Sequence, residues 1–183
     1  MYILLIAFFI SPALGMSIDN DLCPPFTPPG PGFDLNKYLG VWYEIARTDM
    51  LFEAGLDCVN ATYTLRDDKN ITVLNQGKDL ETKKIQFVQG VGRLTQQANL
   101  LEVKLSPLYP EAPYWIVDTD FSTYSLVYSC GKIGPVYYRE VYILSRYREM
   151  DETLRGKLIQ KSVDLGIQRE NIYLTKQLEC IHT

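Results

Sequence analysis

Chemistry at a protein site needs nucleophiles, proton carriers or metal ligands brought together, and this chain supplies few of them. Its one histidine is His182, next to last in the sequence. That position removes Ser-His-Asp and Cys-His arrangements and disfavours haem ligation through imidazole. Four cysteines, Cys23, Cys58, Cys130 and Cys180, are scattered without a C-x-x-C pair, and with a single histidine no zinc or other metal site is expected. In an exported chain an even number of cysteines reads as two disulfides, and spacing alone leaves three pairings open. Asp118 and Asp120 form the one close pair of carboxylates worth weighing for acid–base work. They flank a turn, where such side chains cap backbone amides. Asn60-Ala61-Thr62 and Asn70-Ile71-Thr72 are acceptor triplets for N-glycosylation. The expectation is a protein that binds rather than catalyses, without metal or cofactor.

The elements that would hold a binding site follow an export signal. Residues 1–10 are apolar and uncharged, and Ala13 and Gly15 fit a signal-peptidase site, which makes 1–15 a cleaved leader. The apolar run is shorter than the roughly 20 residues that span a bilayer. A proline-rich extension, 16–32, contains CPPFTPPGPG and supports neither helix nor ladder. The formal charge of −4 argues against nucleic acid as a partner. What remains, 33–183, suits one domain.

From residue 40 onward the chain alternates apolar and polar residues in short runs: 41–47, 58–65, 71–76, 84–92, 99–105, 114–118, 123–130 and 138–145. They are rich in Val, Ile, Tyr, Phe and Thr and are separated by Asp, Asn, Gly and Pro. The turns are expected at 67–70, 77–79, 118–120 and 131–135. Eight such runs with short connections predict an all-β fold, an antiparallel up-and-down barrel whose closure removes exposed edges. One amphipathic helix follows, with Asp151 as its cap, Leu154, Leu158, Ser162 and Leu165 on one face, and Gly166 as its stop. A single helix after an all-β run is expected to pack on the outside, and 172–174 reads as a short ninth strand.

Three motifs in order carry a resemblance. Gly40-Val41-Trp42-Tyr43 within 33–47, Thr119-Asp120-Phe121, and Ile143-Leu144-Ser145-Arg146 resemble the three signatures of the lipocalins. Lys37 to Ile45, 73–76, Ala112 to Ile116 and Leu126 to Cys130 are most similar to the apolipoprotein D-like members. Phe121 stands where the family carries tyrosine. The resemblance implies the pairs Cys23–Cys130 and Cys58–Cys180. It also implies a barrel floor built from Gly40, Trp42, Thr119, Asp120 and Arg146, with the Arg146 guanidinium over the Trp42 ring as a structural plug. It implies a secreted carrier of a small hydrophobic molecule: a fatty acid, sterol, retinoid or tetrapyrrole.

An eight-stranded barrel holds side chains or one small ligand. If Trp42 points inward, alternation sends Glu44 and Ala46 the same way and turns Tyr43 and Ile45 toward the helix. The resemblance places Tyr63, Asn75 and Tyr142 in the pocket. Alternation adds Ala61, Leu65, Ile71, Val73 and Leu144, then Ile85, Phe87, Leu101, Val103 and Leu105, and from the seventh strand Leu126 and Tyr128. The ligand-binding set is thus Ala61, Tyr63, Val73, Asn75, Phe87, Leu101, Val103, Tyr128 and Tyr142. No inward Lys or Arg stands out, Arg93 being the nearest, which disfavours a carboxylate headgroup. Met50, Leu51 and Phe52, then Leu108 and Tyr109, make two connections apolar. They are expected at the rim, either folding over the mouth or touching a membrane or lipoprotein. The alternative to a carrier is an extracellular interaction protein that uses the barrel as a scaffold for these loops.

Overall fold

A computed structural model describes residues 33–48, 55–67, 70–107, 110–134 and 136–180, together with Cys23. The expected leader, the rest of the proline-rich extension, the expected rim residues Met50, Leu51, Phe52, Leu108 and Tyr109, and His182 lie outside the described residues.

One helical turn, α1 (Leu35–Tyr38), opens the domain; Asp34 caps it by accepting from the Asn36 N–H. The strands follow as β1 (Gly40–Thr48), β2 (Leu56–Leu65), β3 (Asn70–Asp79), β4 (Ile85–Leu94), β5 (Leu100–Lys104), β6 (Ala112–Thr119), β7 (Tyr124–Ile133) and β8 (Val136–Ser145). Each pairs antiparallel with the next, β8 returns to β1, and β1 pairs with β2, closing an eight-stranded up-and-down barrel. Two expected turns move. Residues 77–79 extend β3, and the bend falls after Asp79, whose carboxylate accepts from the N–H groups of Glu81 and Thr82. Residues 131–133 extend β7 to a tight turn at Gly134, where φ is +60°.

The second helix, α2 (Glu152–Asp164), is capped by Asp151, which accepts from the Leu154 N–H, and stops at Gly166 with φ +88°. Leu158 and Ser162 are buried against the outer barrel wall, where Ile45, Val117, Leu126, Tyr128, Val141 and Ile143 form a second core. Lys161 of α2 pairs with Asp118 of β6 at 2.8 Å. The barrel is therefore buried on both faces along part of β6, β7 and β8, which a single-layer alternation does not describe.

The tail completes the ring. Pairing of β1 with β2 stops at Tyr43 and Asn60. Beyond that point β9 (Ile172–Leu174) pairs with β1, and the Cys58 N–H donates to the Lys176 carbonyl at 2.8 Å. The Gln177 amide bridges the gap, donating to the Glu44 carbonyl at 2.9 Å and the Val59 carbonyl at 2.7 Å. The disulfide Cys58–Cys180 pins this seam, and Cys23–Cys130 pins the N-terminal segment to the outer face of β7.

Candidate functional site

The lower half of the barrel is filled, and the filling begins with a glycine. Gly40 has φ +96°, a backbone conformation that favours glycine, and it lies against the Arg146 guanidinium, which a Cβ there would meet at 3.4 Å. That frees the next turn for Trp42, fully buried, whose indole N–H donates to the Tyr38 carbonyl at 2.8 Å. The Arg146 guanidinium carbon lies 3.7 Å from the Trp42 ring centre, a cation–π contact of about 0.5–2 kcal/mol. Its nitrogens donate to the carbonyls of Phe121 (3.0 Å), Val41 (2.8 Å), Lys37 (2.8 Å) and Tyr38 (3.2 Å). These carbonyls sit where the strands converge and the ladder ends, so one planar fork satisfies acceptors from three segments.

The loop after β6 is built for the same purpose. The Thr119 hydroxyl donates to the Tyr124 carbonyl at 2.7 Å and accepts from the Phe121 N–H at 3.0 Å. Asp120 accepts from the N–H groups of Ser122 (3.0 Å), Thr123 (2.7 Å) and Tyr124 (3.1 Å). Burial works to raise the Asp120 pKa, but these donors together with the Thr123 hydroxyl outweigh it and hold the carboxyl below its ordinary value. Asp120 is thus an amide cap; Asp118 instead serves Lys161 and accepts from the Tyr124 hydroxyl at 3.2 Å.

Above the plug, four hydroxyls form a chain across the barrel. Tyr63 and Tyr114 meet at 2.6 Å, Tyr114 and Tyr38 at 3.3 Å, and Tyr38 and Ser125 at 3.1 Å. Burial pushes the Tyr38 hydroxyl up to about 12, and it lifts Tyr114 well above its ordinary value, with Tyr38 and Tyr63 adding to the rise. Alternation did not single out Tyr38, Tyr114 or Ser125; the excess of tyrosine was the only signal in the sequence.

Over this layer lies a cavity of about 460 Å³. Ala61, Tyr63, Val73, Asn75, Val103 and Tyr142 line it, as do Leu105 and Leu144. Its polar wall includes Glu140, Ser129 and Tyr138. Glu44 also reaches it but is tied to Arg47 at 2.7 Å and to the Thr175 hydroxyl. Among the described lining residues there is no Lys, Arg or His.

Several expected positions lie elsewhere. Leu101 points inward but is fully buried in the packed lower core, beneath the cavity. Tyr128 and Leu126 pack in the outer core with α2, because the large apolar residues of β7 lie on its outer side and its inward residues are Ser125, Val127 and Ser129. A register shift between Glu44 and Ala46 puts Ile45 and Ala46 together in the outer core, so Ala46 leaves the inward row. Phe87 borders the cavity but is 71% exposed. It pairs with Gln76, whereas Val88, Gly90 and Gly92 face the lining and core residues Asn75, Val73 and Ile71. Two glycines on the inner row of β4 had hidden that parity. Ile85 and Leu65 are partly exposed, 38% and 47%, and lie outside the lining. Arg93 is on the outer surface, paired with Glu102 at 2.7 Å and Glu111 at 2.6 Å, and is no counter-ion for the cavity. Asn60 is 2% exposed and its side-chain amide oxygen accepts from the Gln76 side chain, which counts against a glycan there; Asn70 is half-buried at the start of β3 beside Asp67.

A closed antiparallel barrel with a sealed floor, an open hollow above it and a helix outside defines the cup-shaped class of barrel proteins. A lipocalin-like domain model matches residues 33–177, and the chain belongs to the lipocalin family. It is 38% identical over 183 residues to apolipoprotein D of Oryctolagus cuniculus, covering 96% of this chain and 93% of that one. It is 32% identical over 148 residues to outer membrane lipoprotein Blc of Citrobacter freundii, covering 79% and 80%. The structure of insecticyanin from Manduca sexta superposes with a TM-score of 0.69 at 19% identity, over 85% of this chain and 86% of that one, a likeness of fold.

Proposed function

We propose that the protein is a secreted carrier that holds one small hydrophobic molecule in the barrel cavity. The observation that carries this reading is the hollow of about 460 Å³, walled by Ala61, Tyr63, Val73, Val103, Leu105 and Leu144 above a floor that is fully packed. A volume of that size lies within the range of pockets for drug-sized ligands, and an apolar lining with a few polar groups is their usual character. Its polar groups, among them Glu140, Ser129 and Tyr138, are few against the apolar wall, and the cavity is read as a binding site. Native mass spectrometry of the protein from its own source tests the reading. The expected result is one adduct per chain that is released on denaturation. A bare chain that also takes up no member of a panel of sterols, retinoids, fatty acids and bilins would overturn it.

Export accompanies this reading, and two long-range disulfides fit an oxidising compartment. Protein collected from culture medium is expected to begin near Met16. It is also expected to lose mass with a glycosidase, and to stop doing so in Asn70→Gln. A start at Met1, or no mass change in the wild type, would contradict these two points respectively.

A further inference from the structure

The cavity wall has an uncompensated acid. Glu140 of β8 lines the hollow, and its one hydrogen bond among the described residues comes from the Tyr142 hydroxyl at 3.3 Å, a long contact. The other carboxylate of the wall, Glu44, is already engaged by Arg47 and Thr175. The remaining titratable groups that share the hollow are phenols: Tyr138 and Tyr142 on β8, Tyr63 on β2 and Tyr114 on β6. The Asn75 side-chain amide oxygen, also in the wall, meets no donor among the described residues. Among the described lining residues the donors are thus neutral hydroxyls and amides, and no cation stands opposite the Glu140 carboxyl.

Resting on the carrier reading above, we propose that the cavity selects apolar ligands bearing a basic nitrogen, with the Glu140 carboxylate as the anchor of the ammonium group. A fatty carboxylate would face Glu140 without a cation to offset it, whereas an ammonium provides both the charge and the N–H donors that Glu140 and Asn75 lack. A partly buried carboxylate with one long hydrogen bond is poorly solvated, and desolvation pushes the Glu140 carboxyl up to about 8, opposed by the Tyr142 hydroxyl. In the unliganded protein this favours the protonated acid toward neutral pH. An ammonium ligand enters with its own proton, and Glu140 releases its proton to solvent, so one proton leaves for each ligand bound below about pH 8.

The test compares decylamine, decanol and decanoate on the full disulfide-bonded protein by calorimetry between pH 6 and 9. Decylamine is expected to bind most tightly at pH 7, and decanoate least. Its affinity is expected to rise up to tenfold per pH unit toward pH 8 and then level off, with proton release visible as a dependence on buffer ionisation enthalpy. Glu140→Gln keeps the shape and removes the charge; it is expected to retain decanol binding while losing the amine preference and the pH slope. Equal affinity for amine and alcohol in the wild type, tighter binding of decanoate, or an unchanged amine preference in Glu140→Gln would overturn the proposal while leaving the carrier reading in place. Failure of all three probes to bind would overturn both.

Discussion

Arg146 and Glu140 stand at opposite ends of the barrel interior and illustrate two ways of handling a charge. Arg146 is only partly buried, and it makes four hydrogen bonds to carbonyls at the barrel floor, where the ladder ends. Lysine keeps the charge but not the fork, so Arg146→Lys is expected to cost about 2 kcal/mol, since a hydrogen bond to a charged group contributes about 1.5–3 kcal/mol and lysine retains some of them. Thermal unfolding is expected to fall by several degrees, with Trp42 emission altered. An unchanged midpoint would remove the plug from the account. Glu140 has the opposite character, a carboxyl with little to hold its charge. Its folded pKa of about 8 lies above its ordinary value of 4.5. Its contribution to stability is therefore fully present below about pH 4.5 and is lost as pH rises through 8. The unliganded protein is expected to lose stability across that window, by at most about 1.4 kcal/mol per pH unit. Glu140→Gln is expected to flatten the profile and to melt higher than the wild type at pH 8. Parallel profiles of the two proteins would count against burial as the cause.

At the scale of elements, most of the barrel was legible because the chemistry of its strands is local. Period-two runs, turn residues and the Asp151 and Gly166 signals of α2 each point to one structure. Some of the errors fall where a second layer intervenes, while that at Phe87 comes from the glycines on the inner row of β4. Tyr128 and Leu126 look inward because they are the large apolar residues of β7, yet α2 covers that strand from outside and the barrel interior takes Ser125, Val127 and Ser129. The shift at Ile45 breaks the alternation that carried Ala46 inward, and nothing in the residue types marks it. The tail was legible as a ninth strand but not as a stave between β1 and β2, since its pairing depends on where those strands part. Fixing that stave is the task of Cys58–Cys180, whose ends are 122 residues apart. A loop of about 100 residues corresponds to roughly 4.7 kcal/mol in the chain-entropy model. Cys58→Ser with Cys180→Ser is expected to lower the denaturant midpoint accordingly and to expose the seam amides of residue 58 and Thr175 to hydrogen exchange. Retained protection there would mean that Gln177 and β9 hold the seam without the covalent link.

For the whole molecule, closing the ring frees its interior from the need to complete a sheet edge. The lower half is then spent on rigidity, through Trp42, the tyrosine chain and the apolar side chains packed with them, while the upper half stays hollow. Family membership was readable from three short motifs, all of which serve the floor and its loops. The lining of the hollow lies between those motifs, and its parity depends on register, which is why the fold was plainer in the sequence than the site. The central claim is that this hollow, and not the outer surface, receives the ligand. Calorimetric titration of decanol into the wild type and into Ala61→Phe and Val88→Trp, two substitutions that fill the cavity from different walls, tests it most directly. The account predicts saturable one-to-one binding to the wild type and its loss in both variants at near-native melting temperature. Undiminished binding to both filled variants would contradict it.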